Sequence, residues 1–408
     1  MPRVIKPFRG FPGGDPFAPV GTASSAVNQR TLVVGPGGIG SVPGLGALRS
    51  DFRTIGEAMS VVPLPSKKAN GEVILAAPQD TWTILVTPGV YFEEIRMKPN
   101  VILVGIGQSA VIFPPQSAAN WVAPPGGRGR RAVVYMNHNT AVKNLVFGKL
   151  GMTSNDYVFW NFDRYNVGEL KEAGRTLAPS GLGISDVWVW PYPVNAPPPV
   201  RGGASVPARP EPRPALPLDY HKTKGKTLLM EGDWHTALFT NVGSSYWEAE
   251  GYDIEVRGVS DRLRDPHYHI ADCHFTNCFF DALFIDNDPG GCMLVENIED
   301  VHVRGSLLRV NGAVHGAPPN GRVWGSCVRG RGRGFFWLEH TSLECPGKVS
   351  DRALDFAVRT DPANEPILGS DGEPLDRMKG AILYSDVPSL RGDLSRFDVP
   401  TWPPRIRT

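Results

Sequence analysis

Three aspartates in one short stretch, Asp281, Asp286 and Asp288, are the side chains best placed to do chemistry in this sequence. Carboxylates this close together could hold Ca²⁺, or serve as the acid and base of glycoside hydrolysis. The run Asp286-Asn287-Asp288-Pro289-Gly290-Gly291 is also what a tight turn demands, which is the simpler explanation of two of the three. Trp188 and Trp190 alternate in Val187-Trp188-Val189-Trp190. In a strand, residues two apart share a face, so the two indoles lie side by side. Such a pair either packs into a core or loop, or offers a flat surface to a sugar ring or another subunit. His267 and His269 alternate in the same way, with Cys273 and Cys278 downstream, but no tetrahedral metal spacing emerges and no cofactor is expected. Arg329, Arg331 and Arg333 alternate with glycines, and Arg128 and Arg130 flank Gly129. Both runs suit basic loops that meet solvent or the carboxylates of a partner.

The elements that must position these residues are short. Thr83-Ile84-Leu85-Val86, Val90-Tyr91-Phe92, Val101-Ile102-Leu103-Val104 and Ala110-Val111-Ile112-Phe113 are β-rich runs divided by Thr87-Pro88-Gly89 and Lys98-Pro99-Asn100. Runs of four or five residues between turns of this composition make strand–turn–strand coils, with Ile84, Val86, Val101 and Leu103 facing inward. Just before them, Phe52, Ile55 and Met59 fall at helical spacing, so residues 51–59 read as a short amphipathic cap. Further runs continue to about residue 385 at irregular intervals, as in a solenoid whose turns carry insertions. Between Pro191 and Pro217 there are ten prolines, an insertion (about 191–225) that favours extended polyproline conformation over core strand.

The passage from Asp51 to Ala58, with Gly89-Val90-Tyr91-Phe92-Glu93 and Val101 to Gly107, resembles the opening of pectinesterases and related pectin-lyase-like proteins. That resemblance implies an all-β chain folded as a single-stranded right-handed parallel β-helix, with a short N-terminal capping helix. The expected organisation is a Gly/Pro-rich extended arm over residues 1–50, the β-helix over 51–385 and a C-terminal tail over 386–408. It also implies where esterase chemistry would sit. Asp281, in Asn277-Cys278-Phe279-Phe280-Asp281-Ala282, falls at the position of the family's acid, but its glutamine position holds Phe280. The position of the nucleophilic aspartate holds Leu308, which removes the covalent step. Esterase activity is therefore not expected.

Composition narrows the remaining choices. A net charge of +1, with charged residues at 20%, gives no general attraction to nucleic acid or to a membrane surface. Five cysteines, all beyond residue 272, do not form the framework of a secreted disulfide protein, and the start of the chain has no apolar signal segment. The expectation is a non-catalytic structural or interaction protein. It would be a phage virion component (head decoration, spike or tail protein) made in the host cytoplasm, and a homotrimer joined to other virion subunits through the arm. β-Helices resembling this one recur in phage particles, which is fold-level analogy. The alternative is a polysaccharide depolymerase with acids along the helix face, or a tailspike-like protein that stacks a surface glycan on Trp188, Trp190, Trp234 or Trp247 without cleaving it, with Asp281, Asp286 and Asp288 as further carbohydrate or ion contacts.

Overall fold

The computed structural model describes residues 30–36, 40–41, 49–64, 81–106, 110–116, 121–125, 127–161, 171–172, 175–176, 180–190, 224–232, 234–247, 251–258, 270–283, 290–311, 325–345, 352–363, 365–368, 372–391 and 394–398. Asp286, Asp288, His267 and His269, residues 1–29 of the arm and residues 191–223 of the insertion lie outside them.

Each coil places one strand in each of three sheets, then repeats. Val101–Gly105, Ala110–Phe113 and Arg131–Tyr135 form one such coil, and Thr140–Lys143, Val146–Gly148 and Asp156–Trp160 form the next. Within these three sheets each strand pairs with its counterpart one coil away, in parallel, giving a first sheet of eleven strands, a second of eight and a third of nine among the described residues, beside two short antiparallel pairs. The chain is a right-handed parallel β-helix. Parallel strands must be joined by a crossover, and here the crossover is the rest of the coil.

The core is built by like stacking on like. Ile84, Leu103, Val142, Ile184, Phe239, Phe275, Val303, Leu338 and Ile382 occupy one inward column of the first sheet, each at most 2% exposed. Each such side chain contributes roughly 1.5–3 kcal/mol by leaving water. Ile84, Val86, Val101 and Leu103 all point inward as the strand pattern requires.

The cap explains the residues that carry the family resemblance. Helix α1 (Ile55–Val61) begins at Thr54, whose side chain accepts from the Glu57 N–H, while Glu57 accepts from the Thr54 N–H. This reciprocal box satisfies donors that the first turn leaves free. Glu93 reaches from the first coil to accept from the N–H groups of Ile55 (3.0 Å) and Gly56 (2.9 Å). At the other end, the Lys98 ammonium donates to the carbonyls of Ser60 and Val62. An acid at the N-terminus and a lysine at the C-terminus complement the helix dipole. Tyr91 donates to the Thr87 carbonyl at 2.9 Å and pins the intervening turn. The matching residues Thr54, Glu57, Tyr91 and Glu93 thus fasten the cap to the first coil of the solenoid.

The solenoid also extends past the boundaries expected from the sequence. Thr31–Val34, within the stretch assigned to the arm, is the first strand of the first sheet and pairs with Thr83–Val86. Leu390–Arg391 and Phe397–Asp398, within the assigned tail, close the third and first sheets. Proline-poor, β-branched Thr-Leu-Val-Val outweighs its glycine-rich surroundings here.

The corner between the first and second sheets is the tightest. It turns on one residue in the left-handed conformation: Asn144, Asp186, Asn241, Asn277, Gly305, His340 and Tyr384 in successive coils, with φ between 47° and 58°. Asn, Asp and Gly adopt this conformation readily. The next residue points inward, and in the last three coils it carries a hydroxyl. Ser306, Thr341 and Ser385 each accept an N–H from the coil before, at 3.0, 3.3 and 3.1 Å, and each donates to a carbonyl at 2.9 Å. The ladder satisfies these buried hydroxyls from within the protein.

Candidate functional site

Counting from that turn residue gives the orientation of every side chain on the second sheet. The third residue after it faces the core: Phe147, Val189, Ser244, Phe280, Leu308 and Leu343. The second and fourth face outward. The fourth position reads Gly148, Trp190, Ser245, Asp281, Arg309 and Glu344, and the second reads Val146, Trp188, Gly243, Phe279, Leu307 and Ser342.

Trp188 and Trp190 therefore share the outer face rather than the core. Both are half-buried, and their rings lie 5.7 Å apart and 9° from parallel. Trp188 rests on the backbone of the next coil at Gly243, where a Cβ would stand 2.1 Å from the indole carbons. Phe113 rests on Gly148 in the same way and stacks on Phe92 at 5.3 Å. Two large outward rings are seated on glycine, so the face is flat, apolar and partly open. Val90 is 52% and Phe92 38% exposed at its N-terminal end.

Further along the same face the chemistry changes. The Arg309 guanidinium donates to both oxygens of Asp281, Nε to Oδ1 at 3.0 Å and Nη2 to Oδ2 at 2.7 Å, and lies 5.8 Å from the Phe279 ring. The Asp281 hydrogen bonds raise the arginine pKa above its ordinary value, against the opposing effect of burial. The pair is fork-to-fork, the strong and directional form of charge pairing. Asp281 is thus committed to Arg309 and is not a free acid. Phe280 and Leu308, the positions of the glutamine and nucleophile in the family resemblance, are fully buried in the core column. Which face a residue takes there is fixed by the pleat, because one step along a strand reverses it.

The sequence brought Asp281, Trp188 and Trp190 to attention, and the structure places all three on one outer face. Ser245, Phe279 and Arg309 were missed. Aligning the coils on their left-handed turn residues would have found them: Asp281 is the fourth residue after Asn277, and Arg309 the fourth after Gly305.

The third sheet's outer face is different. Arg131 donates to both oxygens of Asp156 (2.8 and 2.7 Å) and lies 4.1 Å from the Trp121 ring. Glu255, 1% exposed, accepts from Lys226 at 2.7 Å, Arg257 at 2.8 Å and Tyr157 at 3.2 Å. Burial, then the Glu255 charge, push the Tyr157 hydroxyl far above its usual range. Arg130 pairs with Glu231 at 2.7 Å and Arg329 more loosely with Asp355 at 3.3 Å. Arg130 and Arg329 thus have carboxylate partners within their own chain. Inside the coil, Lys149 donates to Asp253 at 2.8 Å and to the Ser245 carbonyl at 3.1 Å.

Cys273 and Cys278 are buried. Among the described residues no group of three His, Cys, Asp or Glu comes together as a metal site, and no helix is long and apolar enough to cross a membrane.

The chain matches no protein-family model and no curated protein. Among solved structures it is similar to a pectin methylesterase in complex with a hexasaccharide (10% identity, 92% of this chain and 98% of that one, TM-score 0.36). It is also similar to the pectin methylesterase from carrot (11% identity, 91% and 88%, TM-score 0.37) and to an iota-carrageenase of family GH82 from A. fortis (11% identity, 76% and 50%, TM-score 0.30). At these identities what this chain does must be argued from its own side chains.

Proposed function

We propose that this protein binds a glycan along the outer face of its second sheet, without a covalent step. The observation that carries the reading is the parallel, half-buried Trp188–Trp190 pair on the outside of the solenoid. Large rings on an outer face lose nothing by packing against the C–H faces of a sugar, and they present area that is already ordered. Further along the same column Ser245 and Asp281 are buried, and the partly exposed Arg309 guanidinium, held in place by Asp281, is the group left to donate to sugar hydroxyls. Coils in a parallel sheet repeat at about 4.8 Å, so the face offers its contacts in a line suited to an extended chain.

The test is binding of the purified protein to a panel of neutral and acidic polysaccharides by affinity electrophoresis. Wild type should be retarded by at least one of them. The Trp188→Ala, Trp190→Ala double variant should lose that retardation at least tenfold while keeping its circular dichroism. Retention of binding by the double variant, or absence of binding to every polysaccharide, rejects the reading. Release of reducing ends or new double bonds would replace it with the depolymerase alternative.

A further inference from the structure

We infer that Cys345 and Cys327 form a thiol–disulfide site that is oxidised by a small disulfide such as glutathione disulfide. Cys327 lies in strand Gly325–Arg331 of the third sheet and is fully buried. Cys345 follows strand Ser342–Glu344 of the second sheet and is partly exposed. Their sulfurs are 3.6 Å apart, although 18 residues separate them in sequence. A disulfide is about 2.05 Å long, so the sulfurs must approach by roughly 1.5 Å, within the reach of side-chain rotation.

The other cysteines do not compete. Cys273, Cys278 and Cys292 are all buried, so Cys345 is the one thiol of five that reaches solvent. Cys292 stands beside Cys327 in the same inward column, but its sulfur donates to the carbonyls of Arg309 (3.0 Å) and Phe280 (3.4 Å). Cys327 donates to the Leu308 carbonyl at 3.3 Å and also faces Cys345. The geometry sets the order of events. The Cys345 thiolate attacks the added disulfide, forms a mixed disulfide and expels one glutathione thiolate. The Cys327 sulfur then attacks Cys345 Sγ, forms the protein disulfide and expels the second. Two protein thiols lose two protons and two electrons, and one glutathione disulfide becomes two glutathiones. Burial raises the Cys327 pKa, so closure is the slower step. The bond would join the second sheet to the third at the corner beside Glu344, and constrain the unfolded chain.

The experiment is incubation of the folded protein with glutathione disulfide, followed by intact mass and peptide mapping. Wild type should lose the mass of two hydrogens, yield one cross-linked peptide pair containing Cys327 and Cys345, melt several degrees higher and revert with dithiothreitol. Cys327→Ala should stop at a glutathione adduct on Cys345, and Cys345→Ser should not react. A stable adduct on wild-type Cys345 without closure overturns the inference, as does equal reactivity in Cys345→Ser. Because Cys327→Ala and Cys345→Ser act at different sites, the failure of one to fold leaves the other decisive. Neither outcome depends on glycan binding.

Discussion

The outer faces of the second and third sheets come from the same coils, yet they hold different side chains in different states. On the third sheet, charges are buried and paired: Glu255 with Lys226 and Arg257, Asp156 with Arg131. On the second sheet, Trp188 and Trp190 are half-exposed, and beyond each other their flat faces meet no ring of comparable size among the described residues of the column. Buried charges that have already found their counter-ions can hold the solenoid together but have little left for a ligand. Half-exposed rings contribute less to folding and keep area free. The difference separates what stabilises this protein from what lets it make contacts, and substitution on each face should show it.

The largest effect is expected on the third sheet. Glu255→Ala leaves Lys226 and Arg257 without their shared carboxylate, and should cost about 3–5 kcal/mol of stability, read as a lower denaturant midpoint. Polysaccharide retardation by the fraction that remains folded should be unchanged. If Glu255→Ala abolishes binding in folded protein, the separation of roles between the two faces is wrong.

Acid should act away from the second sheet as well. Burial holds His138 near a pKa of about 4, below its ordinary value, and burial together with His302 does the same to His274. At these two side chains the unfolded state therefore binds more protons than the folded one between about pH 4 and 6.5. Stability is complete above that window and is lost as pH falls through it. For His138 the loss at pH 5 should be on the order of 2 kcal/mol. His138→Asn should flatten the dependence of the melting temperature on pH over this window; an unaltered slope contradicts it.

A smaller change is expected from Asp281→Asn on the second sheet. The asparagine keeps one acceptor for Arg309 but gives up the charge, at about 1–2 kcal/mol. Weaker glycan retardation with little change in melting would sharpen the contrast with Glu255. Removing residues 1–29 should have the smallest effect on stability, since Thr31–Val34 begins the solenoid. Equilibrium sedimentation of that deletion also tests the homotrimer expected through the arm, which should fall to monomer.

The scaffold was legible because its signals are local. Phe52, Ile55 and Met59 mark the cap within eight residues, and turns at Pro88-Gly89 and Pro99-Asn100 bound the first strands. Alternation likewise put Trp188 and Trp190 on one face, but could not say whether that face was inside or outside. The ionic face was illegible for a physical reason. Arg130 and Glu231 lie 101 residues apart, and Tyr157 and Glu255 lie 98 apart, separated by coils with unequal insertions. No period in the sequence connects such residues; only the stacking of coils does. The same applies to Asp281 with Arg309, which become neighbours only once the turn residues Asn277 and Gly305 are recognised as equivalent.

The unbroken first sheet has a mechanical meaning. Eleven parallel strands at about 4.8 Å each place its two edges roughly 48 Å apart. Strand Thr31–Val34 stands at one edge and Phe397–Asp398 at the other. Whatever is joined ahead of the first strand is therefore held at a set distance from whatever is joined after the last. Each coil added or removed would change that distance by one strand spacing, so the molecule is a ruler graduated in coils.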